Sequence, residues 1–101
     1  KSLVQSEFCI YNLMQVSFDV NKSARNIAER SLSFERAAEF NFETALIGTD
    51  DRRVYSEVRY VALGYLDERL HVLCFTETHD GIRVISFRKA NSREVNHYAS
   101  T

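Results

Sequence analysis

The chain changes its hydrophobic period once, near Phe40. Before that point apolar residues recur at helical spacing. Ala24, Ile27 and Ala28 share a face of a short helix that Asp19 or Asn21 can cap, and Phe34, Ala37 and Ala38 share a face of a second that Ser33 can cap. Leu32, just before that cap, is placed to staple onto Ala37. Beyond Phe40 the period is two. It predicts strands over residues 44–48, 57–65 and 70–76, then a last strand that ends at Arg88. A charged turn spans residues 49–53, a second spans residues 66–69, and Asp80-Gly81 makes the third, so consecutive strands pair as antiparallel hairpins. Asn91 followed three residues later by Glu94 forms a capping box for a final helix with Val95, Tyr98 and Ala99 as its apolar stripe. Glu94 therefore reads as a cap and not as a catalytic acid.

These elements predict an α+β fold: two N-terminal helices, an antiparallel sheet of about four strands and a short C-terminal helix, with the helices packed on one face of the sheet. Phe34, Val61, Leu63, Leu73, Phe75 and Ile85 are its expected core. Residues 16–101 make one domain, and residues 1–15 stand before it as an N-terminal extension of unknown role.

Composition narrows the function. The chain has 101 residues, 45% of them hydrophobic, with seven Phe and five Tyr, enough apolar surface for one core without staples. Thirteen Lys+Arg against fourteen Asp+Glu leave a formal charge of -1, so no global field draws in nucleic acid or an anionic membrane. Any RNA contact must be local, and seven of the thirteen basic residues do gather in two windows: Arg52, Arg53 and Arg59, then Arg83, Arg88, Lys89 and Arg93. Cys9 and Cys74 make neither a disulfide framework nor a metal spacing, which suits a reducing cytoplasm. No apolar run reaches membrane-span length.

The candidate chemistry follows from those windows. The run Ile82-Arg83-Val84-Ile85-Ser86-Phe87-Arg88-Lys89-Ala90 carries an arginine near each end and leads into a basic helix, so cations converge where strand meets helix. Such convergence suits an anionic ligand, although arginines at strand ends also pair with neighbouring carboxylates. No Gly-rich phosphate loop, nucleophile elbow or metal-spaced His/Cys/Asp set is present, and no cofactor or metal is expected. In Glu57-Val58-Arg59, period two puts Glu57 and Arg59 on one face. Glu57, Arg59, Arg83 and His97 are the catalytic candidates, and Arg88, Lys89 and Arg93 the RNA-binding ones. A carboxylate or imidazole relays protons while guanidinium groups hold a phosphate, which suits metal-free RNA cleavage by attack of a ribose 2′-hydroxyl on its own phosphate. The competing reading is a Glu57–Arg59 surface pair with His97 in solvent. Strict alternation puts Arg83 and Arg88 on opposite faces, which favours Arg83 with Arg59 at one site and gives Arg88 a flanking phosphate or a structural ion pair.

From about Phe18 to Tyr98 the order of motifs resembles the BrnT family of type II toxin-antitoxin systems. The matching residues are Phe18-Asp19, Lys22, Asn26 and Ser33-Phe34-Glu35, then Glu57-Val58-Arg59 and Leu63-Gly64, then Arg83 to Ala90 with Glu94 and Tyr98. The resemblance implies a RelE-like fold and an endoribonuclease that blocks translation without a metal. It also implies a hetero-oligomer with a BrnA-like antitoxin, which silences the toxin and alone contacts operator DNA. The chain departs from the family at Glu29-Arg30-Ser31, where Lys-His-Gly is usual, and at Phe18 and Val20, where Trp and Pro are usual. Loss of the histidine and of the helix-ending glycine keeps a second reading open: a weakened toxin fold that holds its antitoxin and tunes repression of the operon.

Overall fold

Asp19 opens the first helix, its carboxylate accepting from the N–H groups of Asn21 and Lys22 at 2.9 and 3.3 Å. Two donors that the helix itself cannot pair are thereby satisfied. In this computed structural model, which describes residues 14–101, that helix is α1, Val20–Arg30. Its end is less usual: Ser31 takes the left-handed conformation at φ 56° and ψ 35° and donates its N–H to the Ile27 carbonyl at 2.8 Å. Glycine enters that region without a Cβ penalty, whereas serine does not. Ser31→Gly is expected to stabilise the fold by about 0.5 kcal/mol, net of the extra freedom glycine gives the unfolded chain. Thermal unfolding should shift up by roughly 2–4 °C, and an unchanged or lower midpoint would count against the strain.

The second predicted helix is a 3₁₀ helix, Phe34–Glu39, so the expected pair of N-terminal α-helices is corrected to one. Spacing explains it. Phe34, Ala37 and Phe40 are all buried and recur every three residues, which matches the three-residue turn of 3₁₀ geometry, while Ala38 faces solvent. Ser33 caps it as expected, Oγ accepting from Glu35 N–H at 3.1 Å.

Four strands form the predicted meander: β2 (Leu46–Thr49), β3 (Tyr60–Leu66), β4 (Arg69–Thr78) and β5 (Gly81–Lys89), each antiparallel to the next. The four-stranded antiparallel expectation is corrected by a fifth strand, β1 (Gln15–Phe18), which adds to β5 in parallel and makes a mixed sheet of order β1-β5-β4-β3-β2. Val16 and Phe18 pack toward the core, and their alternation with Gln15 and Ser17 was legible, but within residues read as an extension and its border. Gly81 permits the contact, since a Cβ there would stand 1.9 Å from the Gln15 carbonyl oxygen.

The sheet has two unequal faces. On the first, Leu73, Phe75, Ile82, Val84 and Phe87 meet the 3₁₀ segment and its flanks, with Phe40 at the centre of edge-on contacts to Phe42 and Phe87 at 4.9 and 6.1 Å. On the second lie Leu63, Leu70, Val72 and Ala90, with Val61 and Tyr98 half-buried beside them. The last helix, α2 (Ser92–Ala99), lies on this second face. Tyr98 donates its hydroxyl to the Thr44 carbonyl at 2.8 Å and packs edge-on against Tyr65 at 5.6 Å. The helices therefore do not share one face, because Ala90 and Tyr98 complete the smaller apolar cluster. Val61 and Ile85 are half-buried and outside the main core, Val61 on the thinly covered second face and Ile85 at a bulge.

Helix α1 also turns an unexpected side inward. Ser23 and Asn26 are buried, while Ala24, Ile27 and Ala28 are exposed. Ser23 Oγ accepts from Phe34 N–H at 3.0 Å, and Asn26 Nδ2 donates to the carbonyls of Leu32 and Phe87 at 3.0 and 2.9 Å. Backbone groups on the linker and β5 need these partners more than the weakly apolar alanine face needs burial.

Candidate functional site

Val84 pairs with Phe75 and Ser86 pairs with Cys74, so Ile85 is an extra residue on β5 and forms a bulge. A bulge resets the alternation of every residue beyond it. Arg83, Ser86 and Arg88 consequently all face the second side of the sheet, which corrects the opposite-face expectation for the two arginines. Directly paired residues share a face, so Arg83 lies in a row with Thr76 and Ser17, Ser86 with Cys74, Val61 and Gly48, and Arg88 with Val72, Leu63 and Leu46. Adjacent rows are about 7 Å apart along the strands. Asp50 N–H donates to the Arg59 carbonyl at 2.8 Å, one step past the Thr49–Tyr60 pair, which extends the ladder and brings Arg59 into the row of Arg83.

A groove of about 410 Å³ lies over the rows of Ser86 and Arg88, lined by Asp50, Arg52, Cys74, Ser86, Arg88 and Glu94 among others, while Arg83 and Arg59 stand outside its lining. A second hollow of about 390 Å³ shares Val61, Val72 and Glu94 with it and reaches His97. Arg83 is exposed and makes no hydrogen bond or ion pair among the described residues. Arg88 is held instead: its guanidinium donates to both oxygens of Glu94 at 2.9 and 2.8 Å.

Glu94 is also the cap that its spacing predicts, its Oε1 accepting from Asn91 N–H at 2.8 Å while Asn91 Oδ1 accepts from Glu94 N–H at 2.8 Å. The Arg88 guanidinium, with help from the Asn91 N–H, outweighs partial burial and lowers the Glu94 carboxyl to about 2. A folded-state value below the unfolded one, near 4.5, means stability that is complete above that pH and lost as pH falls toward 2. Glu94→Gln should remove this part of the acid sensitivity. Thermal unfolding of both proteins across that range tests it, and parallel curves would show that the pair contributes no pH dependence.

Glu57 and Arg59 precede β3, so the alternation argument for their shared face does not apply. Both nevertheless line a hollow of about 270 Å³ in the loop over residues 50–59. Ser56 Oγ donates to the exposed Glu57 carboxylate. The Arg59 guanidinium carbon sits 4.1 Å above the Tyr55 ring, and its Nε is buried without a hydrogen-bond partner among the described residues. His97 is exposed in the other hollow, so Glu57 and His97 are not brought together. Lys89 pairs with His71 and so points to the first face, away from Arg88. Arg93 is exposed on α2.

Asp50 was not anticipated. Its side chain is 2% exposed and takes a fork from Arg52 Nε and Nη2 at 2.8 and 2.7 Å, with the Tyr55 hydroxyl donating at 3.2 Å. The Arg52 hydrogen bonds hold its carboxyl well below the usual carboxylate range, against the opposing effect of burial. An Asp two residues before an Arg inside the charged turn was its only sequence signal. Two other reactive groups are inert by environment. Burial pushes the Cys74 thiol up and away from thiolate. Burial also lowers His71, whose Nδ1 donates to the Arg69 carbonyl at 2.8 Å while its ring rests on Phe87. Among the described residues, no three His, Cys, Asp or Glu side chains are grouped to hold a metal ion, and no helix is long and apolar enough to cross a membrane.

A family model described as a ribonuclease toxin, BrnT, of type II toxin-antitoxin systems matches residues 18–94. No curated protein and no solved structure matches the chain.

Proposed function

Because the chain belongs to the BrnT family of ribonuclease toxins of type II toxin-antitoxin systems, we propose that it cleaves RNA on the second face of its sheet. The bulge at Ile85 carries this reading, because it sets Arg83, Ser86 and Arg88 on one face, with Arg59 in the row of Arg83. Arg83 and Arg59 hold the scissile phosphate. The ribose 2′-oxygen attacks phosphorus and the bond to the 5′-oxygen breaks, leaving a 2′,3′-cyclic phosphate, while the guanidiniums stabilise the charge that builds on the non-bridging oxygens. Glu57 or His97 takes the 2′-hydroxyl proton, and the leaving 5′-oxygen is protonated in return. Arg88 and Arg93 contact flanking RNA, with Arg88 also committed to Glu94, while Lys89, on the opposite face, stands outside this site. The reaction uses no metal.

In this reading the fold is RelE-like and the toxin acts in the cytoplasm by cutting RNA needed for translation. Its antitoxin is BrnA-like, covers the site and is the component that contacts operator DNA. The pair assembles as two of each, since a DNA-binding partner of that kind dimerises. Induction in a bacterial host with and without the neighbouring gene, together with cleavage of a defined RNA by the purified protein, tests it. Growth arrest relieved by the neighbour and strand scission in vitro are the expected results.

One observation favours a second reading. Arg30 stands where the family has a histidine, and it spends its guanidinium on Asn26 Oδ1 at 3.1 Å, a structural contact. Wild-type protein that cuts no RNA with or without ribosomes, yet binds its antitoxin, would make it a binding protein that tunes operon repression.

A further inference from the structure

The loop over residues 50–59 is not held by apolar burial, with Val54 99% and Val58 57% exposed. What holds it is a buried carboxylate. An ionised carboxylate in so dry a place is costly unless fully paired, and Asp50 is fully paired by groups of this same loop: the Arg52 fork and backbone N–H, and the Tyr55 hydroxyl. Its own N–H fixes the Arg59 carbonyl. The Tyr55 ring that it anchors is the platform for the Arg59 guanidinium. The chain of contacts thus ends on a cation that extends the row of Arg83 and whose buried Nε donor has no partner among the described residues. A buried donor left without an acceptor is costly, so Nε stays there only because the loop holds the guanidinium on the Tyr55 ring.

We propose that Asp50 is a positioning residue: through Tyr55 and the loop backbone it holds the Arg59 guanidinium in the hollow of its own loop, at the end of the sheet row that carries Arg83, where the two cations share one phosphate. This rests on the ribonuclease reading above and adds to it the device that orients one of its cations. Asp50 itself touches no substrate.

A double-mutant cycle under single-turnover conditions tests it. Asp50→Asn should slow cleavage about tenfold in the wild-type background and less than about twofold when Arg59 is already alanine, because a residue acting only through Arg59 has nothing left to position. Tyr55→Ala should behave the same way, and Tyr55→Phe, which keeps the ring but loses the hydroxyl held by Asp50, should show a smaller loss that also vanishes when Arg59 is alanine. Should Asp50→Asn fail to fold, Tyr55→Phe decides, because it cuts the Asp50 contact at a half-buried loop residue, and a wild-type rate for it would overturn the assignment. Losses of equal size in both Arg59 backgrounds would mean general structural damage and overturn the assignment while leaving the ribonuclease reading intact. Wild-type protein without activity would overturn both.

Discussion

Arg83→Ala is expected to slow single-turnover RNA cleavage by about 30- to 1,000-fold, the equivalent of roughly 2–4 kcal/mol of barrier, while the melting temperature stays nearly unchanged. The separation follows from its surroundings. Arg83 is exposed and pairs with no carboxylate among the described residues, so its removal strands no buried charge. Arg83→Lys should recover little, because an ammonium cannot present two parallel donors to a phosphate. Arg88→Ala makes the contrast. It leaves Glu94 at the start of α2 without its guanidinium, so it should lower stability together with RNA binding and affect turnover less. Cleavage by Arg83→Ala at the wild-type rate would remove Arg83 from the site.

Asn26→Ala should produce the largest loss of stability, roughly 2–3 kcal/mol, because two buried carbonyls lose their donor at once. One belongs to Leu32, where the chain leaves α1, and the other to Phe87, past the point where β1 stops pairing with β5. Neither can turn to water without moving a core residue, since Leu32 and Phe87 are 6% and 0% exposed. Asn26→Asp is the sharper control. A carboxylate offers only acceptors to those two carbonyls, so it should cost more than alanine. Denaturant unfolding of the three proteins measures the order, and an alanine variant within about 0.5 kcal/mol of wild type would show that other groups satisfy those carbonyls.

Local chemistry was legible wherever the deciding interaction lies within a few residues. Asp19, Ser33 and the Asn91–Glu94 box cap the helices predicted for them, because a cap joins a side chain to a backbone N–H two or three positions on. The hairpins of β2 to β5 followed from alternation and turn residues, and the order of motifs from Phe18 onward carried the family likeness that the family match to residues 18–94 then showed. Helix type was decided one level up: Ser33 to Phe40 could not be told from an α-helix until Phe34, Ala37 and Phe40 had a common face to bury.

What only the tertiary structure decided are relations between distant segments. The parallel docking of β1 needs Gly81, some sixty residues away, to lack a side chain. The inward face of α1 was set by carbonyls on Leu32 and Phe87 and not by its own apolar stripe. The candidate site depends on the same kind of fact. Sequence alone named Arg59, Arg83 and Arg88 as cations of interest, but strict alternation separated the last two. A single unpaired residue, Ile85, reunites them, and whether a residue is unpaired is a property of the register between two strands. Residue types and local spacing determined which chemistry this chain carries. Register and burial, which no short window of sequence contains, determined where that chemistry meets.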